Sequence, residues 1–192
     1  GKHIMTTQND ETALGQGSSV KMETQETMKI IAAGNIFTGT FERDGMGGIL
    51  TLGRNFECRP NKLKGYYKYT SAKVSVSKGH LNEGEDDLCS LYIALTDEQI
   101  TVNTNKGIYF DPNSSAVIAY GSISDEESKG ADSFKEFTVD LEYKDLKRIP
   151  KYIIVVASSS KYGDYMEGGK GSTMWLDDLE LVYPKSMEEV RK

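Results

Sequence analysis

The sequence is short of the residues on which several common chemistries depend. It has two histidines, His3 near the start and His80 in a polar stretch. A Cys/His zinc site lacks ligands, and a Ser-His-Asp triad would have to use His80 with no GxSxG elbow in the chain. The two cysteines, Cys58 and Cys89, are too few for a disulfide framework and are expected to be buried free thiols. No apolar run approaches the roughly 18 residues of a membrane span. Positive charge is in deficit: 23 Lys and Arg against 29 Asp and Glu leave a net −6, with both signs mixed along the chain. No basic nucleic-acid face results, so nucleic acid is not expected as a partner. No signal peptide is visible, but the chain opens on Gly1 and not on Met, as expected of a trimmed or mature fragment, so its address stays unread.

One apparent motif fails on its spacing. The run Gly168-Gly169-Lys170-Gly171-Ser172-Thr173 suggests a phosphate loop, which needs GxxxxGK[ST] leading into a helix. Counted from Gly163, a glycine holds the lysine position, and the residues that follow have a strand pattern. Nucleotide binding is therefore not expected.

What is present points to strands. Eleven tyrosines, six phenylalanines and nineteen glycines accompany no long helical period. A chain of 192 residues suits one domain. Residues 18–185 form that domain, residues 1–17 read as a flexible lead-in, and residues 186–192 as a C-terminal tail. Tyr152–Ala157 is an unbroken apolar, β-branched run of the kind that fills a strand buried on both faces. Ser158–Ser172, with four glycines, separates it from a second extended run, Thr173–Tyr183. Before these, Ser18–Thr24, Met28–Ala33, Ile36–Phe41, Ile49–Leu52, Lys64–Thr70, Leu88–Leu95, Ala116–Ser122 and the alternating Phe137, Val139, Leu141 and Tyr143 read as strands. Ser71–Asp87 reads as a long loop with an acidic end, and residues 96–115 as irregular. About ten strands without intervening helices predict an all-β fold, an antiparallel two-sheet β-sandwich of the jelly-roll type. Tyr152–Ala157 belongs at its centre.

Two groups of residues invite a functional reading. In the last strand, Trp175, Asp177, Leu179, Leu181 and Tyr183 share one parity, which would bury Asp177 beside leucines. Either a bulge at Asp177-Asp178 flips the register, or the two aspartates hold a structural Ca²⁺ with further oxygen ligands. Tyr66, Tyr92 and Tyr120 each take the parity opposite the more apolar face of their strand. If their strands share a sheet, the rings could line a concave face with Lys68 and stack on sugars, with Arg54 and Arg59 as polar partners. The alternative is that they are ordinary half-exposed packing residues.

A series of motifs in fixed order adds a resemblance. It runs through Asn35-Ile36-Phe37-Thr38-Gly39, Gly53-Arg54-Asn55-Phe56 to Arg59-Pro60, Leu63-Lys64-Gly65-Tyr66-Tyr67-Lys68-Tyr69 and Ile118-Ala119-Tyr120-Gly121. Ser158-Ser159-Ser160-Lys161-Tyr162-Gly163-Asp164-Tyr165 and Gly171-Ser172-Thr173 to Asp177-Asp178 complete it. From about Ser18 to Tyr183 the chain resembles the putative carbohydrate metabolism domain found mainly in Bacteroidetes. It departs from that pattern at Asn55, where proline is more frequent, and at Met166, where an aromatic is more usual. The resemblance implies a jelly roll similar to carbohydrate-binding modules, exported to the cell surface or periplasm and often tethered as a lipoprotein by an anchor outside this chain. It implies no established activity.

The function expected is therefore a non-catalytic module that binds a polysaccharide or oligosaccharide within a carbohydrate-utilisation system, alongside protein partners of glycan uptake. Two alternatives stand beside it. One is a glycoside-processing enzyme, which needs only two carboxylates about 5–10 Å apart, a criterion that 29 acids neither exclude nor meet. The other is a structural or adhesive sandwich that holds a protein by its sheet face.

Overall fold

The computed structural model describes residues 4–45 and 47–185. Its strands, in chain order, begin with β1 (Thr6–Asn9), β2 (Ser19–Glu23), β3 (Gln25–Thr27), β4 (Ile30–Ala32), β5 (Asn35–Phe37) and β6 (Gly39–Asp44). They continue with β7 (Gly47–Leu52), β8 (Arg54–Asn55), β9 (Lys62–Thr70), β10 (Ser90–Thr96) and β11 (Ile100–Asn103). The last are β12 (Val117–Ser122), β13 (Ala131–Asp140), β14 (Glu142–Tyr143), β15 (Tyr152–Ser158) and β16 (Thr173–Val182). The all-β expectation holds.

All pairings are antiparallel. A five-stranded sheet runs β1-β2-β16-β9-β13, and a second runs β14-β12-β10-β15-β5 with β8 also on β15. Side chains that alternate inward along these strands close the main core between the two sheets. They include Leu63, Tyr67 and Tyr69 from β9, Phe137 and Val139 from β13, and Leu91, Ile93 and Leu95 from β10. Leu141 joins them just beyond β13. The phenols of Tyr67 and Tyr69 reach the carbonyls of Glu127 and Ser159 at 3.0 and 3.1 Å, so each ring is buried with its hydroxyl satisfied.

A third layer was not legible in the alternation. β11, β7 and β6 form a small sheet over the outer face of the second sheet. Leu52 and Val102 pack there on Ala94 and Ile154, making a second core. β15 thus turns Ile153 and Ala157 into the main core and Ile154 into the second, as its unbroken apolar run requires. Residues 96–115 are consequently not irregular throughout: β11 and a 3₁₀ turn at Thr104–Lys106 lie within them. The lead-in also carries structure, because Thr6–Asn9 pairs with Ser19–Met22 and gives the first sheet an edge strand. Residues 186–192, expected as a tail, lie outside the described residues. Cys89 is buried as expected, but Cys58 is exposed; both are free.

The irregular last strand resolves as a bulge. Pairing of β16 with β9 shifts between Asp177 and Glu180, so Asp178 and Leu179 together oppose Gly65. Asp178 takes a left-handed φ of 49° to make the shift. The buried Asp177 is satisfied by backbone: its Oδ2 accepts from the Ala13 amide at 2.8 Å and its Oδ1 from the Asp178 amide at 3.0 Å. Asp178 is exposed, and no group of three or more His, Cys, Asp or Glu comes together among the described residues. The aspartate pair does not fit Ca²⁺, which takes six to eight oxygen ligands.

Candidate functional site

The site is a groove at the open end of the second sheet's outer face, beyond the edge of the third layer. Its floor begins on neighbouring strands. Tyr92 on β10 and Tyr120 on β12 project to the same side, with ring centroids 6.0 Å apart. Phe110, after β11, lies nearly parallel to Tyr92 with centroids 4.9 Å apart. Packing against the second core excludes water from Tyr92 and pushes its phenol well above the ordinary value.

The wall comes from three loops distant in sequence. Tyr109 stacks on Tyr165 at 3.9 Å, Tyr165 lies 4.3 Å from His80, and His80 stacks on Tyr162 at 4.4 Å. The His80 loop and the glycine-rich loop are each fixed by a buried carboxylate. Glu167 accepts the backbone amides of Lys78 at 2.8 Å, His80 at 3.2 Å and Leu81 at 2.5 Å, and lies 3.0 Å from His80 Nδ1. Burial opposes its charge, but these donors outweigh burial and hold the carboxyl below its ordinary value. Asp87, at the acidic end of the Ser71–Asp87 loop, is fully buried and not solvated. Its Oδ2 accepts Ser160 Oγ at 2.6 Å and the Gly169 amide at 2.8 Å, anchoring the glycine-rich loop. Thr24 adds hydroxyl contacts to Ser159 at 2.7 Å and to Ser160 at 2.6 Å. Where this loop turns, a Cβ on Gly163 would fall 2.4 Å from that of Ala33, so only glycine lets the turn lie flat and present Asp164.

The groove so formed has a volume of about 400 Å³, within the range of small-molecule sites. Aromatic rings dominate it, and Lys161, Asp125 and Asp164 supply charge. Lys161 Nζ pairs with Asp125 at 3.1 Å. Asp164 accepts no hydrogen bond from any described residue. Although the residue as a whole is exposed, the surrounding protein desolvates its carboxyl and pushes it above the usual carboxylate range. The groove thus combines flat apolar faces with an unengaged hydrogen-bonding group, the set of features a sugar ring requires.

Of the six ligand residues read from the sequence, Tyr92 and Tyr120 come together here and the other four do not. Tyr66 and Lys68 sit on β9 in the opposite sheet, so the three-tyrosine platform does not form. Lys68 pairs with Glu11 and lies 4.0 Å from the Trp175 ring centroid. Arg54 is exposed and donates to the Gly39 carbonyl at 3.0 Å. Arg59 donates to the Arg148 carbonyl and lies 5.7 Å from the Tyr143 ring. Tyr109, Phe110, Tyr162, Tyr165, His80 and Asp164 were missed as site residues. The one sequence signal for them was the Lys161-Tyr162-Gly163-Asp164-Tyr165 motif, two aromatics flanking an aspartate in a loop.

Comparison with known proteins agrees in kind. The family model described as "Putative carbohydrate metabolism domain" matches residues 2–182. The fold is similar to a crystal structure of a putative glycoside hydrolase from Bacteroides thetaiotaomicron, with a TM-score of 0.74 and 25% identity. That match covers 95% of this chain and 58% of the other, so the chain spans little more than half of that protein's length. A putative glycoside hydrolase from Bacteroides vulgatus is similar in fold, with a TM-score of 0.73, 24% identity, and coverage of 93% and 77% respectively. No curated protein matches.

Proposed function

The chain belongs to the putative carbohydrate metabolism domain family, and from that premise we propose that its tyrosine groove binds a glycan without cleaving it, within an exported or surface-located carbohydrate-utilisation system. The observation that carries the reading is the pairing of the Tyr92–Phe110–Tyr120 floor with the Tyr109–Tyr165 wall around Asp164. Pyranose rings present apolar faces to such rings and hydroxyls to a carboxyl that the protein leaves free. Rings on strands, and rings on a loop anchored by the buried Asp87, lose little freedom on binding, so the stacking energy is retained.

A second reading is favoured by Asp164 itself. A carboxyl raised above its ordinary range is better suited than an ordinary one to donate a proton to a glycosidic oxygen, and Asp125 also lines the groove. One experiment separates the two. Tyr120→Ala and Tyr165→Ala are each expected to weaken glycan binding about tenfold, a loss of roughly 1.4 kcal/mol, while wild type releases no reducing ends from any bound glycan. Reducing-end release that disappears in Asp164→Asn would replace the binding reading with the hydrolytic one. Unchanged affinity in both tyrosine variants would remove the groove from either.

A further inference from the structure

Asp164 borders more than the tyrosine groove. A small cavity of about 60 Å³, lined by Phe37, Tyr92, Ser158 and Asp164 among others, adjoins it and shares Tyr92 and Asp164 with it. Beyond lies a trough of about 610 Å³ along β5, β6 and β7, which shares Phe37 and Asp164 with the small cavity. Three hollows thus share Asp164 in their linings, and the two larger ones lie on either side of it.

The trough has an aromatic platform of its own. Phe41 is 57% exposed, unusual for a phenylalanine on a strand. Its ring lies across Gly48 of the neighbouring strand so closely that a Cβ there would come within 2.1 Å of it. The glycine thus lets the ring lie flat against backbone, fixed on one face and open to the trough on the other. Thr104 and Asn35, which also line the trough, give it hydrogen-bonding edges. A flat ring with polar neighbours is what a second sugar subsite requires, and more than half of this one stays exposed.

We infer that the glycan recognised is an oligosaccharide chain, gripped at the Tyr92–Tyr120 floor and again at Phe41, with Asp164 accepting hydroxyls between the two. The inference rests on the glycan-binding reading and narrows its ligand from sugars in general to chains long enough to reach both platforms. A monosaccharide or disaccharide fills only the tyrosine groove, and a longer chain passes over Asp164 to gain the contacts of the trough. Phe41 is then a residue that determines chain length, remote from the tyrosines and acting only on longer ligands.

Titration calorimetry with gluco-, xylo-, manno- and chito-oligosaccharides of one to six units tests this on wild type, Tyr120→Ala, Phe41→Ala and Phe41→Tyr. For the series that binds, affinity is expected to rise about tenfold or more between the disaccharide and the longer members. Phe41→Ala should abolish that rise while leaving disaccharide affinity unchanged, Phe41→Tyr should keep it, and Tyr120→Ala should weaken all lengths alike. A disaccharide that binds as tightly as the hexasaccharide, or a length dependence untouched by Phe41→Ala, overturns the inference and leaves the binding reading standing. Absence of binding across all four series overturns both. Should Phe41→Ala fold poorly, the wild-type length series and Phe41→Tyr decide the matter alone.

Discussion

The outer faces of the two principal sheets begin alike and end differently. Each offers a tyrosine on the non-core parity, Tyr66 on β9 and Tyr92 on β10. On the first sheet the covering is made of side chains. Lys68 lies over the Trp175 ring at 4.0 Å, Lys21 approaches the same ring at 5.7 Å, and Glu11 from the lead-in pairs with Lys68. On the second sheet the covering is a layer of backbone, the β11-β7-β6 sheet, which stops short and leaves a rim. Snorkelling lysines make a face smooth. A partial third layer makes it concave. The difference lies in what packs above the sheet and not in the tyrosines.

The comparison breaks most readily at the second core. Leu52→Ala, at a position 2% exposed, is expected to cost about 2–5 kcal/mol and to loosen the groove floor. Lys68→Ala on the opposite face should cost under about 1 kcal/mol, since its ion pair is with a half-exposed carboxylate. Urea unfolding of the two variants measures the contrast, and equal costs would mean that the third layer is decoration.

Acid sharpens the comparison next. Glu167 is held below the ordinary carboxylate value in the fold, so the stability it contributes is complete above its unfolded pKa and is lost as pH falls through the folded one. The latch on the His80 loop should therefore release in acid. Glu167→Gln, which leaves amide donors poorly matched, is expected to cost about 1–3 kcal/mol at neutral pH and to flatten the acid limb of the stability profile. A profile identical to wild type below pH 5 would assign the loop's order to something else. The smallest effect belongs to Tyr66→Ala, expected to shift stability by no more than about 0.5 kcal/mol and to leave glycan affinity unchanged. Lost affinity in that variant would return the first sheet's face to consideration.

These two faces also show what a single sequence can and cannot convey. Alternation is local, so Leu91, Ile93 and Leu95, or Phe137 and Val139, declare a buried face within a few residues, and the sandwich follows from them. The same parity set Tyr66 and Tyr92 apart from the main core, though Tyr92 packs on the second. It could not say that β9 pairs with β13 and β16 while β10 pairs with β12 and β15, because sheet membership is decided by contacts across the chain. The groove wall is harder still. Tyr109 and Phe110 sit in a segment without period, and Tyr162 and Tyr165 in one rich in glycine. A pair of carboxylates, Glu167 and Asp87, acting across more than seventy residues, ties the glycine-rich loop to the His80 loop and its neighbour, while Tyr109 joins only by stacking on Tyr165. In the sequence Asp87 is one acid among four at the end of a loop; its contacts with Ser160 and Gly169 across the fold turn it inward.

The position of β15 between two cores has a consequence for motion. Its amides and those of β10 are bonded into the second sheet's ladder and shielded from water on both sides, so they open only when the whole domain unfolds. The β11-β7-β6 sheet is shielded on one side and ends at β6, an edge strand whose residues are mostly exposed. In deuterium exchange the molecule should therefore divide into a slow centre and a faster outer leaf. That leaf carries Phe41 and bounds the trough beside Asp164, so the surface offered to a ligand can breathe on a timescale of its own while the sandwich beneath it stays shut.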